Sequence, residues 1–197
     1  MARASKLEKL MLNLVNGARD RAGLRDLKFD GNLNESAEDH SEWMLRTDIF
    51  NHTGAGGSQP TERMREAGYR LTGNWLTGEN IALVSIDGDG SLKDEVRQLH
   101  QMLMNSPGHR ANILKGGYQD IGIGIERGSF KINGQVFDAL VVTQNFGRSA
   151  APRQIDAEPL ALNAPSRDAL FAPPATSQAV SAQSFFTPFW AADDFLF

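Results

Sequence analysis

Cysteine is absent from the 197 residues. Disulfide scaffolds, thiolate metal sites and cysteine nucleophiles are therefore excluded together. The same absence leaves the compartment open, because a chain without cysteine folds in reducing and oxidising surroundings alike. Basic charge is also scarce: 20 Lys and Arg stand against 24 Asp and Glu, a formal charge of −4. That balance argues against a nucleic-acid partner, which usually leaves a basic footprint. No apolar run approaches the roughly 18 residues of a membrane-spanning helix, so no transmembrane segment is expected. The opening Met1-Ala2-Arg3-Ala4-Ser5-Lys6 leads into recurring polar residues. It has neither the apolar region nor the cleavage pattern of a secretory signal.

Glycine disappears part-way along the chain. All 19 glycines precede residue 150, while six of the eight prolines follow it. The break divides the chain into a domain, 1–150, and a Pro/Ala-rich tail, 151–197, expected to be extended. With 41% apolar and 22% charged residues, the domain has the means to bury a core.

The domain reads as helices first and strands last. Ser5 and Glu8 have capping-box spacing, and Leu7, Leu10, Met11, Leu14, Val15 and Ala18 form a helical stripe behind them. A second helix is expected over 33–45, with Asn32 and Glu35 as its cap and His40 on its inner face. Residues 51–59 read as loop, and a short helix over 60–67 stops at Gly68. Ser91 and Asp94 open a helix with inner face Leu92, Val96, Leu99 and Leu103, which places His100 at the surface or boundary. A helical turn is expected over 109–114. The period then changes to two: Ile121, Ile123 and Ile125 alternate with glycines, and Asn133-Gly134 marks a hairpin. The result is α+β.

Four histidines are available for chemistry. His40 reads as a hydrogen-bonded core residue, whereas His52 and His109 lie beside glycine-containing, helix-breaking sequence. Glu79, in Gly78-Glu79-Asn80-Ile81, precedes an apolar run. Two imidazoles and a carboxylate suit zinc with one open position, yet their separations of 27 and 30 residues match no local ligand rule. Asp87-Gly88-Asp89-Gly90-Ser91 fails as a calcium loop, with Leu92 where glycine is needed and Gln98 in place of the final glutamate. Gly122-x-Gly124 has no following helix and is not a dinucleotide fingerprint.

These pieces, taken in order, resemble the CAP superfamily (cysteine-rich secretory proteins, antigen 5, pathogenesis-related 1), in its cysteine-free bacterial branch. They are Leu14-Val15-Asn16-x-x-Arg19, Ala37-x-x-His40-Ser41-x-x-Met44, Phe50-Asn51-His52, Arg63-x-x-x-Ala67-Gly68-Tyr69, Gly78-Glu79-Asn80-Ile81-Ala82, Asn105-Ser106-Pro107-Gly108-His109-Arg110, Gly122-x-Gly124 and Thr143-Gln144-Asn145-Phe146-Gly147. The resemblance implies a three-layer α-β-α sandwich with a central antiparallel sheet. It also implies a cleft in which His52, Glu79 and His109 meet as ligands for a metal such as zinc, supported by Asn80, Ser106 and Arg110. The second acid found in many members falls here on Ser106, so the full set of four is incomplete.

Family members are mostly secreted and are connected with lipid binding, defence, signalling and proteolysis. The resemblance thus implies an extracellular protein, with a cytoplasmic one as the alternative, whose cleft binds a metal ion and/or a small apolar or lipid-like ligand without catalysis. The rival readings are a metal-assisted hydrolase using His52, Glu79 and His109, and an interaction module acting through the tail. The terminal Asp193-Asp194-Phe195-Leu196-Phe197 resembles C-terminal signals read by type I exporters, which makes such an exporter an expected partner.

Overall fold

The computed structural model describes residues 4–86 and 91–154. The chain divides into two units, Met1–Asp156 and Ala157–Phe197, and every element below belongs to the first. The failed calcium loop at 87–90 and the tail features beyond 154 lie outside the described residues.

Among the described residues, five α-helices form where short-range chemistry permits. α1 (Lys6–Arg21) starts with the expected box: the Ser5 hydroxyl accepts from the Glu8 amide at 3.2 Å, and Glu8 Oε2 accepts from the Ser5 amide at 2.6 Å. α2 (Gly31–Thr47) starts two residues earlier than the sequence suggests. Its cap is Asp30, whose Oδ1 accepts from the amides of Asn32 and Leu33, and not Asn32 itself. α3 (Pro60–Glu66) follows a single 3-10 turn, Ala55–Gly57, inside the expected loop. α4 (Lys93–Asn105) has Leu92 at its cap without a side-chain bond, so the expected Ser91 box does not form. α5 (Pro107–Ile113) begins at the proline, which has no amide proton to leave unpaired in a first turn.

The four strands among the described residues, β1 (Lys28–Phe29), β2 (Leu76–Ser85), β3 (Asp120–Ile132) and β4 (Gln135–Arg148), lie in the order β1-β3-β4-β2. The β3–β4 hairpin turns at Asn133 and Gly134, with φ of 51° and 83°, the positive angles that this residue pair tolerates. β2 pairs antiparallel to β4 over its whole length. The short β1 runs parallel to β3, so the sheet is mixed at one edge instead of purely antiparallel. Two residues are too few to register as a period in the sequence.

Helices cover both faces. α1, α4 and α5 bury Met11, Val15, Val96, Leu99, Leu103 and Ile113 against one face of the sheet, meeting Ala82, Val84, Ile121, Ile123, Ile125 and Val142. α2 lies on the other face, where Met44 meets Ile81 and Val141. There the contact is close and partly polar: Ser41 Oγ bonds the Gly124 carbonyl at 3.0 Å and Thr143 Oγ1 at 2.8 Å. The fold is the expected α-β-α sandwich. Arg19, fully buried, ties the end of α1 to the end of α5 by donating to the carbonyls of Ile113 (2.7 Å) and Lys115 (3.1 Å).

His100 corrects the sequence reading: it is 9% exposed, on the buried face of α4 with Val96, Leu99 and Leu103. α4 is wedged between α1 and β2, and a helix held on two sides buries a wider stripe than one packed on a single partner. Among the described residues, no helix is long and apolar enough to cross a membrane. Residues 150–154 stay bonded to the domain: Gln154 exchanges main-chain bonds with Gly31 and the Asp30 carboxylate, and Arg153 pairs with Asp120.

Candidate functional site

β2 is an edge strand, and its alternation sorts the site residues. Ile81 packs toward α2 while Ala82 and Val84 join the α4 side, so Glu79 shares a face with Ile81 and Asn80 faces the other way. The Glu79 side chain is only 2% exposed. A buried carboxylate requires partners, and Glu79 has one on each oxygen. Oε1 accepts from His52 Nδ1 at 2.8 Å, and Oε2 accepts from Arg63 Nη2 at 2.8 Å. Because a carboxylate oxygen only accepts, Nδ1 is the donor of the His52 bond.

His40 joins this cluster from beneath. It is 1% exposed, its Nε2 lies 3.0 Å from the Asn51 carbonyl and 3.9 Å from Glu79 Oε1, and its ring stacks on Trp43. The core reading of His40 is right, but the residue also backs the site. Burial pushes its pKa down to about 4, which keeps the ring neutral. With the Nε2 proton given to Asn51, Nδ1 is an acceptor, and it has no partner.

The other expected residues divide. Asn80 is structural: it donates to the His109 carbonyl and to Gln144 Oε1, both at 3.1 Å, while Asn112 donates to Asn80 Oδ1 at 2.9 Å and to the Glu79 carbonyl at 3.3 Å. These bonds dock α5 on the edge strand and hold the main chain of His109 there. Ser106, at the junction of α4 and α5, has a buried hydroxyl without a partner, and Arg110 is exposed. Among the described residues neither side chain is bonded to Glu79 or His52.

Among the described residues, no three His, Asp or Glu side chains form a group able to hold a metal ion. The donor set also fits a dication poorly. Arg63, whose charge is permanent, occupies one oxygen of the carboxylate that would have to bind the metal. Sequence reasoning placed Arg63 in a motif but not in the site. Its signal lies in α3, where the fourth helical residue returns to the loop it follows and also bonds the Ser58 carbonyl at 2.8 Å.

Beside this cluster an open groove of about 680 Å³ runs between α2 and the 55–67 segment. Trp43 and His40 form part of its wall, and Glu35, Asp39, Glu62 and Glu66 stand around it.

The family model of the cysteine-rich secretory protein (CAP) family matches residues 12–146. The chain belongs to the CAP family. Two curated Bacillus subtilis relatives share its CAP sequence: uncharacterized protein YkwD, 33% identical over 126 residues, and uncharacterized membrane protein YlbC, 31% identical over 120 residues. The matches cover 64% and 61% of this chain but 45% and 32% of the relatives, so this CAP chain spans less than half of their length. Among solved structures, an extracellular SCP-domain protein from Bacillus anthracis superposes with a TM-score of 0.55 at 23% identity, covering 76% of this chain and 45% of that one. An outer surface protein from Borrelia burgdorferi gives 0.54 at 20% identity, covering 75% and 96%. Both share the CAP fold.

Proposed function

We propose that this CAP domain is an extracellular binding module that takes a small organic ligand in the groove beside Glu79, without a resident metal and without turning the ligand over. The observation that carries the reading is the double engagement of Glu79. His52 and Arg63 use both oxygens of a buried carboxylate, which gives a rigid polar wall instead of an open ligand for a metal. A hydrolase would need a held nucleophile or an activated water. Among the described residues, no hydroxyl is hydrogen-bonded to His52, and its carboxylate partner is itself held by a guanidinium. The volume of the groove is within the usual range of small-ligand sites, about 300–1,000 Å³. Its carboxylate-rich lining suits a polar ligand better than a lipid-like one. The extracellular placement draws on the Bacillus anthracis SCP-domain protein.

The metal reading is the one to test against. Calorimetric titration of zinc into metal-stripped protein is expected to show no one-to-one binding that depends on His52 and His109. Tight one-to-one binding lost in both His52→Ala and His109→Ala would overturn the metal-free reading. Arg63→Met supplies a complementary check. Freed of its guanidinium, the Glu79 carboxylate keeps His52 alone, and zinc affinity is expected to rise relative to wild type.

A further inference from the structure

Beyond the end of β4 the chain stays on the domain for six more residues, held at two anchors. At the first, the Ser149 hydroxyl donates to the Arg70 carbonyl and accepts from the amides of Thr72 and Ala151, both at 3.1 Å. The Ala150 amide adds a 3.1 Å bond to the Thr72 carbonyl. At the second, the Gln154 amide donates to Asp30 Oδ2 and its carbonyl accepts from the Gly31 amide, each at 3.0 Å. Between the anchors the segment borders a cavity of about 220 Å³, which Asn32, Gly68, Tyr69 and Arg70 line from the domain side. Among the described residues, none of 149–154 belongs to a hydrophobic cluster. A segment held by surface hydrogen bonds without core contacts opens more readily than the strands behind it.

One contact of this segment differs in kind. Arg153 pairs through Nε with Oδ1 of Asp120. Asp120 is 3% exposed and Asp30 only 1%. Burial raises the pKa of Asp30, and the charge of Asp120 beside it adds to the effect. The Tyr69 hydroxyl donates to Asp120 Oδ2 at 2.7 Å but brings no charge. Two buried carboxylates require a counter-ion, and among the described residues Arg153 is the cation ion-paired to them. It comes from the crossing segment. Asp30 meanwhile has two tasks, since Oδ1 caps α2 while Oδ2 holds the Gln154 amide. The segment is thereby joined to the start of the helix that carries His40 and Trp43.

We infer that residues 149–154 are a strap that opens and closes as a unit on the folded domain, latched by Arg153 on the buried Asp30–Asp120 pair. Closed, the strap neutralises the pair and clamps the start of α2. Open, it uncovers the pair and the cavity, and Asp30 keeps only its α2 cap. The device is independent of the binding reading and is tested apart from it.

Amide hydrogen exchange of the full chain, followed residue by residue by NMR, tests the strap. In the wild type the amides of Gly31, Ala150 and Gln154 are expected to share one degree of protection, at least about tenfold below that of Val141 and Val142 in the central strand β4. Arg153→Met is expected to bring those three amides close to the exchange rates of unstructured chain, while Val141 and Val142 stay protected by at least about a hundredfold. Arg153→Lys keeps the charge and should retain more of the protection than Arg153→Met. Because Arg153→Met strands a buried carboxylate, Asp120→Asn/Arg153→Met is measured beside it, and the same open strap on a folded domain is expected. Wild-type strap amides as protected as Val141 and Val142 would show that the segment does not open separately. Unchanged protection of Gly31 and Gln154 in Arg153→Met, or in the double variant, would overturn the latch. Loss of protection in β4 together with the strap, in the double variant, would make Arg153 part of the core and overturn the device.

Discussion

Gly124→Ala and Gly122→Ala are each expected to destabilise the domain by more than about 3 kcal/mol, beyond the usual cost of overpacking a core. Both glycines lie in β3 opposite β4, at Thr143 and Asn145, on the face covered by α2. A Cβ at Gly122 would fall closer than 3.0 Å to the Leu33 carbonyl and the Asn34 amide. One at Gly124 would fall as close to the Ala37 carbonyl and the Glu38 amide. The obstacle in each case is main chain of a helix and not the end of a flexible side chain, so no rotamer change relieves it. Moving α2 outward would break the Ser41 bonds to Gly124 and Thr143 and the 3.1 Å bond from the Ile123 amide to Asn34 Oδ1. Gly128→Ala is the internal control. Its Cβ would meet only side-chain atoms of Leu45, the nearest at 3.3 Å, and its effect is expected to stay within about 1 kcal/mol. Urea denaturation midpoints check all three, and a Gly124→Ala midpoint equal to that of Gly128→Ala would refute the argument.

The same glycines show what the sequence makes legible. Alternation with Ile121, Ile123 and Ile125 reveals the strand and its buried face, and the missing helix afterwards dismisses a nucleotide site. That the opposite face carries a helix backbone in van der Waals contact is a tertiary fact, which no local pattern encodes. The capping box at Ser5 and the turn at Asn133-Gly134 are readable because both are satisfied within a few residues of chain. The cap of α2 is misplaced by two residues in the sequence reading, since Asp30 and Asn32 are both able caps and the choice depends on the bond between the Asp30 amide and the Ile121 carbonyl of β3. In the site, His52 and Glu79 can be nominated from residue type and surroundings, and they do meet. Arg63 cannot, because its claim on Glu79 depends on α3 folding back beside β2, 16 residues later in the chain. The difference matters chemically, because a guanidinium on one Glu79 oxygen and an imidazole on the other make an ion-pair network around that carboxylate.

Acid should unfold the domain through His100. Burial, and secondarily Arg21, hold its pKa down to about 4 from 6.5. The neutral ring is therefore favoured in the folded state, while the unfolded chain takes up a proton at 6.5. The contribution to stability is complete above pH 6.5 and is lost as the pH falls toward 4, amounting to about 3 kcal/mol at about 1.4 kcal/mol per tenfold. His40 carries a shift of the same direction and cause. Glu38 works against them. Burial and the carboxylates of Glu8 and Glu126 raise it to about 7, so acidification through the same range relieves a buried charge and stabilises the fold. Because these opposed titrations overlap, the wild-type profile alone cannot assign the effect, and single substitutions are needed. His100→Gln removes the titrating group while keeping a neutral polar side chain. Its loss of stability between pH 7 and 4.5 is expected to be about 2–3 kcal/mol smaller than that of the wild type, whereas Glu38→Gln should lose more than the wild type over the same interval. Chemical denaturation at both pH values measures each difference, and the His100 ring proton signals in the folded protein should show no titration above pH 5. A titration of that ring near 6.5, or an acid loss in His100→Gln equal to that of the wild type, would show that the buried imidazole is not what makes the domain acid-sensitive.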